Sequence, residues 1–216
     1  IYSKNRLLTT IAYRINGKTT YAMEGSIFIA GAGVQWLRDR MKFFKKAPET
    51  EKIVKSLNNN NDIYLVPAFT GLGAPYWDAN ARGVLSGITR DTSPKEIVRA
   101  TIEAVAYQTF DLFEAMKHDG LRPKIVKVDG GMVMNNWFSQ FLSDVVNVKV
   151  LRPKVQETTA LGAAFMAGLQ IGVYKSLKDI SKNWHLDKKF SPKMKNKSRS
   201  ILIKGWEKAV KRALIN

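Results

Sequence analysis

The sequence has 216 residues, 45% of them hydrophobic, with 35 Lys and Arg against 18 Asp and Glu for a formal net charge of +17. It has no cysteine and only two histidines, His118 and His185, both among polar neighbours. This excludes disulfides, thiolate nucleophiles and cysteine-ligated metals, and argues against a histidine metal site or catalytic triad. No stretch reaches the roughly 20 apolar residues of a membrane helix, and no secretory pattern opens the chain. The expected compartment is the cytoplasm, with no membrane partner.

The first elements are strands at Leu7 to Ile15 and Thr19 to Met23, separated by the hairpin signal Asn16-Gly17. Small residues from Ala30 to Gly33 lead into a helix that continues to Asp39. A second helix runs from Thr50 to Leu57 and stops at the run Asn58 to Asn61. Ile63 to Val66 reads as a short buried strand ended by Pro67. Phe69 to Arg82 is then a long loop holding Gly71, Gly73 and Pro75, followed by a strand over Val84 to Ile88.

Ser93-Pro94-Lys95-Glu96 has the spacing of a capping box with proline in the first turn. Val98, Ile102, Val105, Thr109, Leu112 and Met116 then recur at helical spacing, which predicts one buried face and an end near Gly120. Val148 to Leu151 is a strand. Glu157 to Ile171 is a helix whose Ala160, Gly162, Ala163 and Ala164 permit close approach to a sheet. Lys178 to Ser200 is expected to be irregular, and Ile201 to Leu214 is a final helix. Strands alternating with helices after the first hairpin predict an α/β domain with a mixed sheet.

The run Ile125 to Asn136 carries the strongest local signal. Apolar Ile125, Val126 and Val128 form a strand, Gly130-Gly131 a turn, and Asn135 opens a helix. Paired glycines let a flat ligand approach the backbone, and an amide at the helix start can both donate and accept. The same residues also suit a plain Gly-Gly turn followed by a helix cap. Four segments are expected to meet at one sheet edge, where α/β folds bind ligands: Gly31 to Gln35, the Phe69 to Trp77 loop, Gly130 to Asn135, and the helix start at Glu157. The excess positive charge is mostly scattered lysine without aromatic interleaving, so nucleic acid is not the expected partner.

Gly83-Val84-Leu85-Ser86-Gly87-Ile88, followed after seven residues by Glu96-Ile97-Val98-Arg99-Ala100-Thr101-Ile102-Glu103, resembles a signature of the FGGY family of carbohydrate kinases. Within that family, Pro67 to Asp78 resembles the members that phosphorylate glycerol more than those acting on xylulose or gluconate. Tyr21 to Gly25, Gly31 to Asp39, Val128 to Asn136 and Thr158 to Ala164 carry the same resemblance. It runs from about Leu7 to Leu177, resumes at Gly205-Trp206, and is weakest between Asp179 and Lys204.

The resemblance implies a ribonuclease H-like domain of the actin and sugar-kinase type, with residues 1–216 as the C-terminal nucleotide-binding domain and the N-terminal substrate domain absent. It implies ATP or ADP with Mg²⁺ as cofactors, and ATP, glycerol and further copies in a homo-oligomer as partners. The implied nucleotide contacts are Gly31, Gln35, Gly131 and Asn135. No catalytic residue and no metal ligand is expected in this chain, because the general base belongs to the absent portion. A kinase for another polyol or sugar, a nucleotide-sensing or interaction module, and a nucleic-acid binder using the basic tail stay open at this point.

Overall fold

The computed structural model describes residues 2–214. β1 (Leu8–Ile15) and β2 (Lys18–Glu24) form an antiparallel hairpin. Asn16 and Gly17 both take positive φ at its tip, as the two central residues of such a turn require. α1 (Gly31–Asp39) and α2 (Glu49–Lys55) follow. β3 (Tyr64–Val66) and β4 (Val84–Ser86) then make a second, buried antiparallel ribbon.

α3 (Pro94–His118) is the organising element. Its start is the predicted capping box: the Ser93 side chain accepts from the backbone, and Glu96 accepts from the Ser93 amide at 3.0 Å. One buried face was expected. Instead every residue from Val98 to Gln108 is buried, because α1, α2, α4 and β3 all pack on this helix. Its buried polar groups find partners both within the helix and beyond it, as where Arg99 also donates to the Leu57 carbonyl. Arg99 donates to Glu103 at 2.7 Å and Tyr107 donates to the other Glu103 oxygen at 3.0 Å, so the burial leaves no charge unpaired.

β5 (Ile125–Lys127) leads through a 3₁₀ turn, Gly131–Met134, into α4 (Asn136–Val146). β6 (Lys149–Pro153) pairs in parallel with β5 and antiparallel with β7 (Leu186–Phe190), giving the mixed sheet. α5 (Thr158–Gln170), α6 (Leu177–Ser181) and α7 (Asn196–Ala213) complete the chain.

Three expectations need correction. The strands form three separate sheets, of which only β5-β6-β7 is mixed. Residues 178–200 are not irregular, since they hold β7 and the start of α7. β7 reads Leu-Asp-Lys-Lys-Phe, a polar edge strand whose lysines look like loop in sequence. Finally, α5 packs its small residues on no sheet, and Gly168 is its one buried residue.

The core centres on Tyr107 of α3. Trp206 of α7 stacks on it at 5.4 Å between ring centroids, Phe141 of α4 meets it edge-on at 5.6 Å, and Tyr64 of β3 lies at 5.8 Å. Gly205 lets α7 come this close, since a Cβ there would collide with the Tyr64 hydroxyl.

Candidate functional site

α1 begins without a side-chain cap, because Ala30 has no group that can accept a hydrogen bond. The first amides of the helix are therefore available to an acceptor from elsewhere. Gly31 opens the helix, and a Cβ built there meets nothing within 4 Å. Gln35 and Arg38 lie one and two turns on, over the same face.

Across from α1, the chain leaves β5 and turns through Gly130 at φ +82°, a conformation side chains disfavour. A Cβ at Gly130 or Gly131 would also meet nothing within 4 Å, so the notch is open. Asn135 caps α4: its Oδ1 accepts from the Phe138 amide at 3.0 Å. Its Nδ2 lies 3.4 Å from Thr50 Oγ1. The side-chain carbonyl is thus committed to the helix, while the amide nitrogen keeps a hydrogen to donate.

These pieces enclose one cavity of about 350 Å³. It is lined by Gly31, Val34, Gln35 and Arg38 of α1, Ala47 and Pro48 ahead of α2, Thr50 and Glu51 of α2, Ile102 of α3, and Gly131, Met132, Met134 and Asn135. The volume lies within the usual range of small-molecule sites. Gly31, Gln35, Gly131 and Asn135, the four residues singled out from the sequence, all lie on its wall.

The cavity differs from expectation in its remaining walls. The Phe69 to Trp77 loop packs elsewhere: Ala74 and Trp77 join Leu7 and Leu112 in a separate apolar cluster, and Trp77 Nε1 donates to the Arg6 carbonyl at 2.6 Å. The start of α5 is tied to the β5 turn by a Thr158–Asp129 hydrogen bond and by the Gly130 amide donating to the Gln156 carbonyl at 3.3 Å. It does not reach the cavity. Asp129 therefore holds two segments together. In place of these two segments stands the first turn of α2, which sequence reasoning missed. Arg38 was missed too, although its helical spacing to Gly31 and Gln35 is a signal that could have found it, whereas Thr50 and Glu51 arrive through packing across long stretches of chain.

Charge is distributed unevenly around this space. Partial burial pushes the Glu51 carboxyl up, but hydrogen bonds from Lys55 and from the Asn136 amide outweigh it and hold it below the usual carboxylate range. The Asn136 bond, at 3.2 Å, fixes α2 to the positive end of α4. Arg38 is engaged with Asp39 at 2.7 Å. The remaining lining is apolar: Val34, Pro48, Ile102, Met132 and Met134. Such a wall suits the faces of a flat heterocycle, with one amide donor at its edge. Among the described residues, no group of three or more His, Asp or Glu side chains could hold a metal ion. The residues present fit a nucleoside.

A larger groove of about 900 Å³ lies between α4 and α7. Asp62, Asp91, Glu96 and Asp144 line it, which disfavours an anionic ligand, and none of its lining residues is a glycine.

A model of the C-terminal domain of the FGGY family of carbohydrate kinases matches residues 4–171. Glycerol kinase 1 of Pseudomonas aeruginosa is 56% identical over 98% of this chain, which spans 43% of that relative's length. The crystal structure of Plasmodium falciparum glycerol kinase with ADP superposes with a TM-score of 0.90 at 39% identity, covering 100% of this chain and 44% of that one. A ligand-bound xylulose kinase from Lactobacillus acidophilus shares the fold at a TM-score of 0.78 and 22% identity, over 96% of this chain and 41% of that one. The chain belongs to the FGGY family of carbohydrate kinases and corresponds to its C-terminal domain.

Proposed function

We propose that this chain is the nucleotide-binding part of a kinase that transfers the γ-phosphate of ATP to glycerol, giving sn-glycerol 3-phosphate. The observation that carries this reading is the convergence of Gly31, Gln35, Gly131 and Asn135 on one cavity. The similarity to a glycerol kinase crystallised with ADP supports it.

In this reading the purine lies against Val34, Ile102, Met132 and Met134, and Asn135 Nδ2 donates to a ring nitrogen. The ribose and α-phosphate pass the Gly130-Gly131 notch, where no Cβ stands in the way. The uncapped start of α1 turns its amides and positive dipole end toward the anion. Glu51 borders the cavity and repels phosphate, so the phosphates lie at the glycine mouth and not along α2.

Phosphoryl transfer depends on positioning and on neutralising charge, and a Mg²⁺ ion accompanying the phosphates would supply part of that neutralisation. The residues of this chain contribute the positioning. Glu51, the carboxylate nearest the site, is held by Lys55 and the Asn136 amide, so the general base falls to residues outside the chain. Glycerol also binds outside it. Closure of this domain over the other excludes water from the reaction, and the assembled enzyme is a homo-oligomer.

The test is thermal unfolding of the chain with increasing ADP. Saturable stabilisation is expected, worth about 2.7 kcal/mol when ADP exceeds its Kd by about 100-fold. A Cβ at residue 131 meets nothing within 4 Å, so Gly131→Leu should abolish the ADP effect and leave the ligand-free stability within about 0.5 kcal/mol. An unchanged melting curve with ADP would overturn the reading. The chain by itself should phosphorylate no glycerol.

A further inference from the structure

The turn that carries Gly131 and leads to Asn135 forms one wall of the cavity, yet little of it is packed. Gly131 and Met134 are exposed, and a Cβ at Gly130 or Gly131 would meet no neighbour. Glycine loses more conformational freedom on ordering than any other residue. The carbonyls of Val133 and Met134 also fall at the end of the 3₁₀ turn, where backbone acceptors run out of partners of their own.

A guanidinium reaches this turn from β6. Arg152 is buried, and its Nη1 donates to the Val133 carbonyl at 2.8 Å and to the Met134 carbonyl at 3.3 Å. Its Nη2 donates to Asn136 Oδ1, at the start of α4, at 3.4 Å. At its other edge Nε donates to Asp187 of β7 at 2.7 Å, and the Phe190 ring lies 5.7 Å from the guanidinium carbon. A guanidinium is planar, so fixing the Nε edge against Asp187 sets where the other nitrogens point. Lys188, also of β7, donates to the same Asn136 oxygen at 3.0 Å. Ser139 shares the Val133 carbonyl at 2.9 Å, but it rides on α4, whereas Arg152 ties the turn to the sheet.

We propose, on the nucleotide reading above, that Arg152, aimed by Asp187, is a positioning residue for nucleotide binding. It fixes the Gly131–Met134 backbone and the start of α4 in the arrangement that presents Gly131 and Asn135 to the ligand. Arg152 does not line the cavity, so it acts through the turn and touches no nucleotide. A misplacement of about 1 Å at a binding group can cost about 100-fold. Lysine at this position keeps the charge but has no fixed plane, so it cannot hold Asp187 and both carbonyls in one geometry. A brace for the fold alone would lower stability without changing how tightly the folded chain binds.

The experiment titrates ADP calorimetrically into the wild-type chain, Arg152→Lys, Asp187→Asn and the double variant, at a temperature where dichroism shows each folded. Arg152→Lys should weaken binding roughly 10- to 100-fold. Asp187→Asn should weaken it roughly 3-fold, the scale of a partly exposed ion pair. In the Arg152→Lys background Asp187→Asn should add nothing, because Asp187 acts through the guanidinium. Arg152→Lys binding ADP as tightly as the wild type would overturn the proposal, even with a lowered denaturant midpoint. Should Arg152→Lys not fold, Asp187→Asn decides, since its carboxylate is partly exposed; wild-type affinity there would overturn the proposal. Failure of the nucleotide reading shows instead as no binding by the wild type, which removes this proposal with it.

Discussion

Asn135 does two jobs, and they can be separated. Its Oδ1 caps α4 while its Nδ2 is the donor assigned to the purine. Serine caps a helix about as well as asparagine. Asn135→Ser should therefore keep unfolding stability within about 0.5 kcal/mol while weakening ADP binding by about tenfold, the scale of one lost hydrogen bond. Calorimetric titration of both proteins checks the affinity, and urea unfolding checks the cap. Asn135 and the glycines were legible because turn and cap chemistry is local. Thr50, which sits against Nδ2 from 85 residues away, could not be read, because only the folded packing of α2 on α4 brings it there.

Asp111 offers a second test at this scale. Burial pushes its carboxyl up to about 7, against the opposing hydrogen bonds from Trp206 and Tyr76. Between about pH 4 and that value the folded chain holds a proton that the unfolded chain has lost. The wild type should thus lose stability relative to Asp111→Asn as pH rises through this window, and gain nothing from further acidification below it. Urea midpoints of both proteins on either side of the window check the sign.

At the level of elements, α3 is held by contacts its sequence only half discloses. The apolar spacing of Val98, Ile102, Val105 and Leu112 revealed one buried face. The other faces are polar in sequence and look solvated. They are buried because Arg99, Glu103 and Tyr107 satisfy one another along the helix. Removing one partner leaves a charge without compensation, so Glu103→Ala should destabilise the chain by about 3–5 kcal/mol, read as a fall in the denaturant midpoint. α7 depends on closeness to β3 instead. Gly205→Ala drives a methyl into the Tyr64 ring and should cost about 1–3 kcal/mol, with near-ultraviolet dichroism reporting the displaced Trp206–Tyr107 stack. β7 stayed hidden in sequence for the opposite reason: an edge strand needs little apolar content, and its lysines are what keep that edge from pairing further.

For the whole molecule, the packing of α1, α2, α4 and β3 around α3 brings α1, the first turn of α2 and the β5–α4 turn to one cavity. The basic surface plays no part in that arrangement, since the cavity wall holds one arginine already paired with Asp39 and one carboxylate. The most direct measurement is an ADP titration of the full chain followed residue by residue through backbone amide resonances. Saturable shifts are expected at Gly31, Gln35, Gly131 and Asn135, all giving one dissociation constant, with Arg38 and Thr50 moving alongside them. Shifts confined to the acidic groove between α4 and α7, or no shifts at all, would contradict the nucleotide reading.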